Sequence, residues 1–326
     1  MTTTALRQRL ARLPSLPFVT APTPIDPMPG LSRLLAGGPS LFIKRDDAIP
    51  FGFGGNKVRK LALVAARAVS DGADTLITAG GVQSNHARAT AAAAAKLGLR
   101  AVLVANGEPP APLTANALLD KLLGAEVVYV RSRDDRTPMM RQVADRLRGE
   151  GRRPYTIPIG ASTPLGALGF VLAVAELVDQ MGAPDVIVHS TSSGGTQAGL
   201  VAGCRLLELH TRVVGISADD RAASLQTQVH AIIGGIAELL DLDPASLARG
   251  TAVEVDDRFV GDGYGIPTDE SGEALQLAAR TEAVFLDPTY TAKAMAGLIA
   301  YVRQQRFSDD QKVLFWHTGG QVGLFA

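Results

Sequence analysis

Short apolar runs alternate with longer stretches of helical periodicity along most of this chain, and this alternation limits the folds open to it. Apolar runs of this kind are typical of buried strands, and strands that alternate with helices predict βαβ units. Such units build parallel sheets, so the sequence predicts an α/β fold of open parallel sheets with helices on both faces. The predicted strands are Leu41–Lys44, Thr75–Ala79, Arg100–Val104, Glu126–Val130, Asp185–His189, Arg212–Ile216 and Lys312–His317. The predicted helices are Lys57–Ser70, His86–Leu97, Leu113–Leu123, Pro138–Arg148, Gly166–Met181, Gln197–Glu208, Ala222–Leu240, Glu270–Ala283 and Thr291–Arg303.

The composition is that of an ordinary globular protein. The chain has 326 residues, 46% of them hydrophobic and 20% charged, which is enough for a sizeable core and for two domains. Lys plus Arg and Asp plus Glu both number 32. Without an excess of basic charge, no nucleic-acid or membrane-surface partner is expected. We also expect no stretch with the length and apolarity of a membrane helix.

Cysteine usage and the N-terminal stretch bear on the compartment. Cys204 is the single cysteine and lies in an apolar helical stretch. It cannot form an internal disulfide, so we expect buried packing and a reducing cytoplasm. Met1–Pro17 lacks the long apolar segment of a signal peptide, so none is expected there.

Three stretches of small and polar residues follow predicted strands. They are Gly80–Asn85, Ser192–Thr196 and Thr318–Gly320. Ligands of open α/β sheets lie beyond the carboxyl ends of strands, where loops enter helices. Ser192–Thr196 directly precedes a helix, and such a loop offers backbone N–H groups and the positive end of the helix dipole. We therefore predict a phosphate site at Ser193, Gly194, Gly195 and Thr196.

The stretch Gly54–Lys60 reads Gly-Gly-Asn-Lys-Val-Arg-Lys. The two glycines permit a tight turn, and Asn56 is expected to cap the helix that follows. Lys57 then lies at a helix N-terminus, where the positive dipole favours the neutral amine. A neutral lysine is a nucleophile that forms Schiff bases. The alternative is a capped surface helix that begins with lysine.

Other ligand signatures are missing from the sequence. There is no Walker A run, no dinucleotide fingerprint between a strand and a helix, and no cysteine or histidine cluster typical of zinc. A Schiff-base lysine, a phosphate site and no predicted metal together favour pyridoxal phosphate (PLP), a cofactor that supplies an electron sink.

The motifs along the chain resemble those of the D-cysteine desulfhydrase and 1-aminocyclopropane-1-carboxylate (ACC) deaminase family. The resemblance extends from about Pro22 to Phe325 and rests on five motifs in order: Gly54–Lys60, Gln83–His86, Ser192–Gly199, Asp287–Tyr290 and His317–Gly320. It implies a PLP enzyme of the tryptophan-synthase-β fold, usually a homodimer. It also implies a large domain of residues 1–52 and 164–326, a small domain of residues 53–163, and the cofactor in the cleft between them.

The resemblance implies a role for each matching residue. Lys57 would carry the cofactor and move the Cα proton, and Lys60 would reach the phosphate with the Ser193–Thr196 loop. Asn85 would hydrogen-bond the phenolic oxygen of the cofactor, and Ser84 would meet the substrate near its carboxylate. The remaining implied positions are Tyr290 stacked on the pyridine ring, Thr318 facing the pyridine nitrogen, and Tyr264 near the substrate.

Within that family the sequence favours D-cysteine desulfhydrase. ACC deaminases typically have glutamine where this chain has His86, and glutamate where it has Thr291. Threonine cannot supply the charge that a glutamate offers the pyridine nitrogen, so ACC deamination is disfavoured. The expected reaction is β-elimination of sulfide from D-cysteine. L-cysteate sulfo-lyase is the alternative within the family. A non-catalytic PLP- or amino-acid-binding protein and a nucleotide-phosphate binder are the alternatives outside it.

Overall fold

The computed structural model describes residues 1–326 apart from the side chains at positions 246 and 248. Within them the chain forms ten strands in two sheets and twelve α-helices. The strands are β1 (Ile25–Pro27), β2 (Ser40–Arg45), β3 (Thr75–Gly81), β4 (Arg100–Asn106), β5 (Glu126–Val130), β6 (Pro154–Thr156), β7 (Val186–Thr191), β8 (Arg212–Ser217), β9 (Glu254–Asp256) and β10 (Lys312–His317). The helices are α1 (Thr3–Leu10), α2 (Pro29–Leu34), α3 (Asn56–Ser70), α4 (Asn85–Leu97), α5 (Ala115–Leu122), α6 (Arg136–Gly149), α7 (Pro164–Met181), α8 (Gly195–Leu206), α9 (Ala222–Leu239), α10 (Pro244–Ala248), α11 (Asp269–Glu282) and α12 (Thr291–Arg303).

The larger sheet has six strands in the order β1-β2-β10-β7-β8-β9. All neighbours are parallel except β1 and β2, which are antiparallel. The central strands β7 and β10 are buried almost throughout because helices cover both faces of the sheet. Strand β1 is missing from the sequence prediction, since three residues that include Pro27 give no strand periodicity.

The smaller sheet has four parallel strands in the order β5-β4-β3-β6. Its two faces pack against separate hydrophobic clusters, one of which includes α3 and α4. Strand β6 is missing from the sequence prediction, since three residues that include Pro154 give no strand periodicity. Pro154 begins this edge strand, a position at which a proline removes no hydrogen bond that the sheet needs.

Helix α7 lies in the core between α3, α8 and α9. It is the one helix among the described residues that is long and apolar enough to cross a membrane by length and composition. The expectation that no such stretch exists is therefore wrong on those two criteria. Ala173, Val174 and Leu177 are fully buried against protein, as in the core helix of a globular domain. Cys204 is buried on α8, as expected, and burial raises the pKa of its thiol to about 12.

Several helices begin earlier than the sequence predicts, and these shifts bring site residues into their first turns. Ser84 accepts a hydrogen bond from the Ala87 backbone N–H (3.2 Å), so α4 begins at Asn85. Helix α8 begins at Gly195, and α6 begins at Arg136. A helix start depends on capping contacts that a periodicity argument does not contain.

Candidate functional site

A cleft that is partly open to solvent lies at the carboxyl ends of β3, β7 and β10. Most of the side chains that the sequence singles out line it, although they come from widely separated parts of the chain. Parallel sheets place ligands at this end because loops from several strands converge there. The predicted residues that line the cleft are Lys57, Lys60, Ser84, Asn85, Ser193, Gly194, Thr196, Tyr264, Tyr290 and Thr318.

Lys57 lies in the first turn of α3, which directly follows a glycine whose φ angle is positive. Gly55 caps the helix with φ of 95°, and a Cβ there would lie 2.9 Å from the Thr318 carbonyl oxygen. The predicted cap at Asn56 is therefore wrong. Asn56 is inside the helix, and its Nδ2 donates to Thr196 Oγ1 (2.9 Å), which joins the lysine helix to α8. Burial lowers the pKa of Lys57 to about 8, while Asp287 acts in the opposite direction.

The predicted phosphate loop is a turn of small residues held by a second serine. Gly194 has φ of 73°, which favours glycine, and it leads into α8. Ser162 Oγ lies 2.7 Å from Ser193 Oγ and accepts from the Gly195 backbone N–H (3.2 Å). Gly195 itself does not line the cleft, since it faces Ser162. Sequence reasoning missed Ser162, which lies far from this loop along the chain.

Lys60 is buried beside that loop and donates to Ser162 Oγ (3.3 Å) and to the Gly160 carbonyl oxygen (3.2 Å). Burial, and after it the charge of Lys57, lower the pKa of Lys60 well below its ordinary value. Ser190 Oγ and Thr191 Oγ1, at the end of β7, are buried without a partner among the described residues. Two lysines and unpartnered hydroxyls thus surround one end of the cleft.

The amide of Asn85 is oriented by a chain of hydrogen bonds. Arg88 Nε donates to Asn116 Oδ1 (3.2 Å), and Asn116 Nδ2 donates to Asn85 Oδ1 (2.9 Å). A guanidinium only donates, so the oxygen of Asn116 must face Arg88 and its nitrogen must face Asn85. Asn85 Nδ2 is then left as a donor for the cleft. Asn116 and Arg88 were missed because nothing local marks them.

Two tyrosines cover another side of the cleft. The hydroxyls of Tyr264 and Tyr290 are hydrogen-bonded, and their rings meet edge to face with centroids 5.7 Å apart. Asp287 orients Tyr290, because its carboxylate accepts from the Tyr290 backbone N–H (2.9 Å) and from Thr291 Oγ1 (2.7 Å). Burial raises the pKa of both tyrosines. Both hydroxyls are therefore neutral, and one of them donates to the other.

His86 lies in the first turn of α4, and it is held neutral. Thr78 Oγ1 donates to the Ile157 carbonyl oxygen (2.8 Å), so it accepts from His86 Nε2 (2.9 Å). Burial, and then the charges of Lys57 and Lys60, lower the pKa of His86 well below its ordinary value. The imidazole lines the cleft as an uncharged ring.

Two arginines and an aspartate that sequence reasoning missed also line the cleft. Arg133 pairs with Asp219 (2.5 Å) and lies over the Tyr264 ring, 5.7 Å from its centroid. Arg136 hydrogen-bonds to Asn106, with Nε 2.8 Å from Asn106 Oδ1. The sequence offered no signal for them, because these arginines are two of many between residues 131 and 153.

Comparison with known proteins identifies relatives. A family profile described as "Pyridoxal-phosphate dependent enzyme" matches residues 17–319. The crystal structure of an ACC deaminase homologue superposes with a TM-score of 0.90 at 38% identity, covering 98% of this chain and 96% of that one. This likeness confirms the predicted α/β fold.

More distant structures share the fold alone. A pyridoxal 5′-phosphate-dependent aspartate racemase has a TM-score of 0.70 at 16% identity, over 98% of this chain and 95% of that one. The processed form of threonine deaminase isoform 2 from Solanum lycopersicum has a TM-score of 0.70 at 18% identity, over 98% and 85%.

Proposed function

Because the chain belongs to the family of pyridoxal-phosphate dependent enzymes, we propose that it catalyses β-elimination from a small amino acid, with cleavage of a carbon–sulfur bond. The observation that carries this proposal is the amine of Lys57, which lines the cleft and has its pKa lowered to about 8 by burial. Near neutral pH a much larger fraction of this amine is unprotonated than of an ordinary lysine. It is therefore suited both to hold the cofactor and to accept a proton.

The side chains of the cleft fit pyridoxal phosphate. Ser193, Gly194 and the N-terminus of α8 offer donors to a phosphate, with the amine of Lys60 beside them. The hydroxyls of Ser190 and Thr191, which have no partner among the described residues, are available to hydrogen-bond to an acceptor or a donor of the ligand. Asn85 presents an N–H toward the cleft for the phenolic oxygen, and Thr318 presents a hydroxyl for the pyridine nitrogen.

The residues then divide the reaction between them. When bound, the cofactor supplies an electron sink that stabilises negative charge at the substrate Cα. Lys57 Nζ takes the Cα proton, and Ser84 with the first N–H groups of α4 holds the substrate carboxylate. The Cβ–S bond breaks and sulfide leaves with the bonding electrons. Addition of one water to the three-carbon product gives pyruvate and ammonia, so D-cysteine plus water balances pyruvate, ammonia and hydrogen sulfide.

The environment of Thr291 argues against ACC as the substrate. Thr291 is buried, its hydroxyl donates to Asp287, and it does not line the cleft. It offers no carboxylate to the pyridine nitrogen, in contrast to the glutamate that ACC deaminases typically have. The neutral hydroxyl of Thr318 favours a weaker electron sink, which suits expulsion of a leaving group at Cβ. These features favour β-elimination, the reaction expected for D-cysteine, over deamination of ACC.

L-cysteate is the second candidate because of Arg136. Elimination from cysteate follows the same steps, but the leaving group is sulfite. A buried guanidinium in the cleft suits a substrate that carries an extra negative charge.

The test is to supply the PLP-loaded protein with D-cysteine, L-cysteine, L-cysteate and ACC in separate assays. We expect pyruvate with stoichiometric sulfide or sulfite from a sulfur-containing substrate, and no 2-oxobutanoate from ACC. A Lys57→Ala protein should yield no pyruvate even with added PLP. Pyruvate formation by that variant at the wild-type rate would refute the proposal, as would turnover of ACC alone.

A further inference from the structure

We propose that Arg136 forms an anion subsite of the cleft and selects substrates whose β-substituent is negatively charged, such as a sulfonate. The inference deepens the proposed β-elimination and rests on it. It concerns the group attached to Cβ rather than the carboxylate that every amino acid carries.

Arg136 is buried and faces the place where a substrate would lie. Its side chain is 7% exposed, and its Nη2 lies 3.9 Å from the Cβ that a residue at position 81 would have. The same point lies 4.0 Å from Cε1 of Tyr264. Gly81 ends β3, three residues before Ser84, so the guanidinium lies beside the predicted substrate pocket.

Arg136 has no salt bridge among the described residues, and its hydrogen bonds go to the neutral amide of Asn106. The carboxylate of Asp219 pairs with Arg133, at 2.5 Å. Asp219 raises the pKa of Arg136, but less than burial and Arg133 lower it. A buried charge without a counterion is costly, so such a residue is retained where a ligand supplies the missing charge.

Two further features make this position unfavourable for an unpaired cation. Arg136 is the first residue of α6, where the helix dipole is positive. Arg133, one turn earlier, adds a second positive charge. Burial lowers the pKa of Arg136, and the charge of Arg133 lowers it further. An anionic ligand at this point would interact favourably with the guanidinium, the helix terminus and Arg133 together.

The α-carboxylate of the substrate has its own donors. Ser84 caps α4, and the first N–H groups of that helix point toward the same cleft. A planar guanidinium with two free N–H directions then remains for a second anion. A sulfonate presents three acceptor oxygens to this fork. During elimination the Cβ–S bond breaks and sulfite departs with the electron pair, so the negative charge stays beside Arg136.

The kinetic test compares L-cysteate and D-cysteine as substrates of the PLP-loaded wild type and of Arg136→Gln. We expect the variant to lower kcat/KM for cysteate by about 10- to 150-fold, the loss typical of a hydrogen bond to a charged group. The loss for cysteine should be much smaller, so that the ratio of the two kcat/KM values falls. Arg136→Lys should recover part of the loss, since it keeps the charge and loses the fork. Exposed Arg148 provides the control Arg148→Gln, which should change neither value.

Asn106→Asp gives a second variant that keeps Arg136 in place. The new carboxylate would pair with the guanidinium internally, so the preference for cysteate should fall although packing is nearly unchanged. An equal loss for both substrates in Arg136→Gln would assign the residue to the α-carboxylate or to packing, and would overturn the inference. Unchanged cysteate kinetics in Arg136→Gln would overturn it as well.

A binding measurement keeps this inference separable from the proposed reaction. Methanesulfonate and its neutral isostere dimethyl sulfone are titrated into the PLP-loaded protein by calorimetry. We expect saturable binding of methanesulfonate alone, lost in Arg136→Gln and retained in Arg148→Gln. If no substrate is turned over but this pattern holds, the subsite stands and the proposed reaction fails. If pyruvate forms but methanesulfonate binds the wild type and Arg136→Gln equally, the reaction stands and the subsite fails.

Discussion

A buried cluster of charges holds the helix that carries Lys57, and its removal gives a sharp prediction. Arg59 lies on α3 between Lys57 and Lys60 and is 5% exposed. Its guanidinium donates to both carboxylate oxygens of Asp46 (3.0 Å from Nε to each) and to Glu176 (2.9 Å). The segment that follows β2 and helix α7 are thereby joined to the lysine helix.

The Arg59→Met variant should be strongly destabilised. The substitution nearly preserves the volume but leaves the fully buried carboxylate of Asp46 without its cation. Removal of one partner from a buried ion pair typically costs about 3–5 kcal/mol. The exposed pair of Arg67 and Asp71, four residues apart on the same helix, is the matched control. Arg67→Met should cost about 0.3–0.5 kcal/mol.

The cost should depend on pH through Glu176. Burial alone would raise the pKa of this carboxyl group, but the hydrogen bonds and charges of Arg59 and Lys44 lower it to about 2 from an ordinary 4.5. A group whose pKa is lower in the folded state stabilises it above the unfolded pKa, and this contribution is lost as the pH falls toward the folded pKa. From pH 7 to pH 3.5 the difference between wild type and Arg59→Met should shrink by about 1–1.5 kcal/mol.

Urea unfolding of the PLP-loaded proteins at the two pH values measures both effects. Cofactor content should also fall in Arg59→Met, because the first turn of α3 carries both lysines of the cleft. If Arg59→Met lost less than about 1 kcal/mol of unfolding free energy at pH 7, the claim that Asp46 is left buried without a counterion would be refuted. A loss that does not change with pH would refute the role given to Glu176.

Three further predictions concern the cleft and its supports. Asn116→Asp should turn the amide of Asn85 around, because the new carboxylate accepts hydrogen bonds and cannot donate one to Asn85 Oδ1. Titration should show PLP binding weakened by about 10-fold. The effect should vanish in an Asn85→Ala background. Gly199→Ala should cost about 1–3 kcal/mol in thermal unfolding, since its Cβ would lie 2.5 Å from Phe170 Cβ; an unchanged midpoint would contradict this packing. The rate at which apoprotein takes up PLP should rise with pH through about 8, as Lys57 loses its proton; a pH-independent rate would contradict a role for that amine.

Much of the architecture follows from periodicity in the sequence. Strands such as Glu126–Val130 and Lys312–His317 have the predicted bounds, because short apolar runs between helical stretches mark strands of a parallel sheet. Loops after β3, β7 and β10 carry small polar residues, so the position of the cleft follows from the same argument. Helix starts were less accurate: Asn56 looks like a cap but is an internal residue that reaches across to Thr196.

The missed residues share a physical reason. Ser162 reaches Ser193, Asn116 reaches Asn85, and Arg136 reaches the cleft only because distant segments pack together. Each is a common residue type without a local motif. Its role depends on the distant residue that it contacts in the folded chain. Arg59 belongs to a recognised motif, yet only the folded chain reveals that Asp46 lies opposite it.

The central claim is that Lys57 holds the cofactor in this cleft. It is tested most directly by borohydride reduction of the PLP-loaded protein, followed by digestion and peptide mass spectrometry. The account predicts a phosphopyridoxyl mass increment on Lys57 and none on Lys60, which donates to Ser162, the serine that contacts the phosphate loop. An increment on Lys60, on Lys44 or on a surface lysine with Lys57 unmodified would contradict the claim.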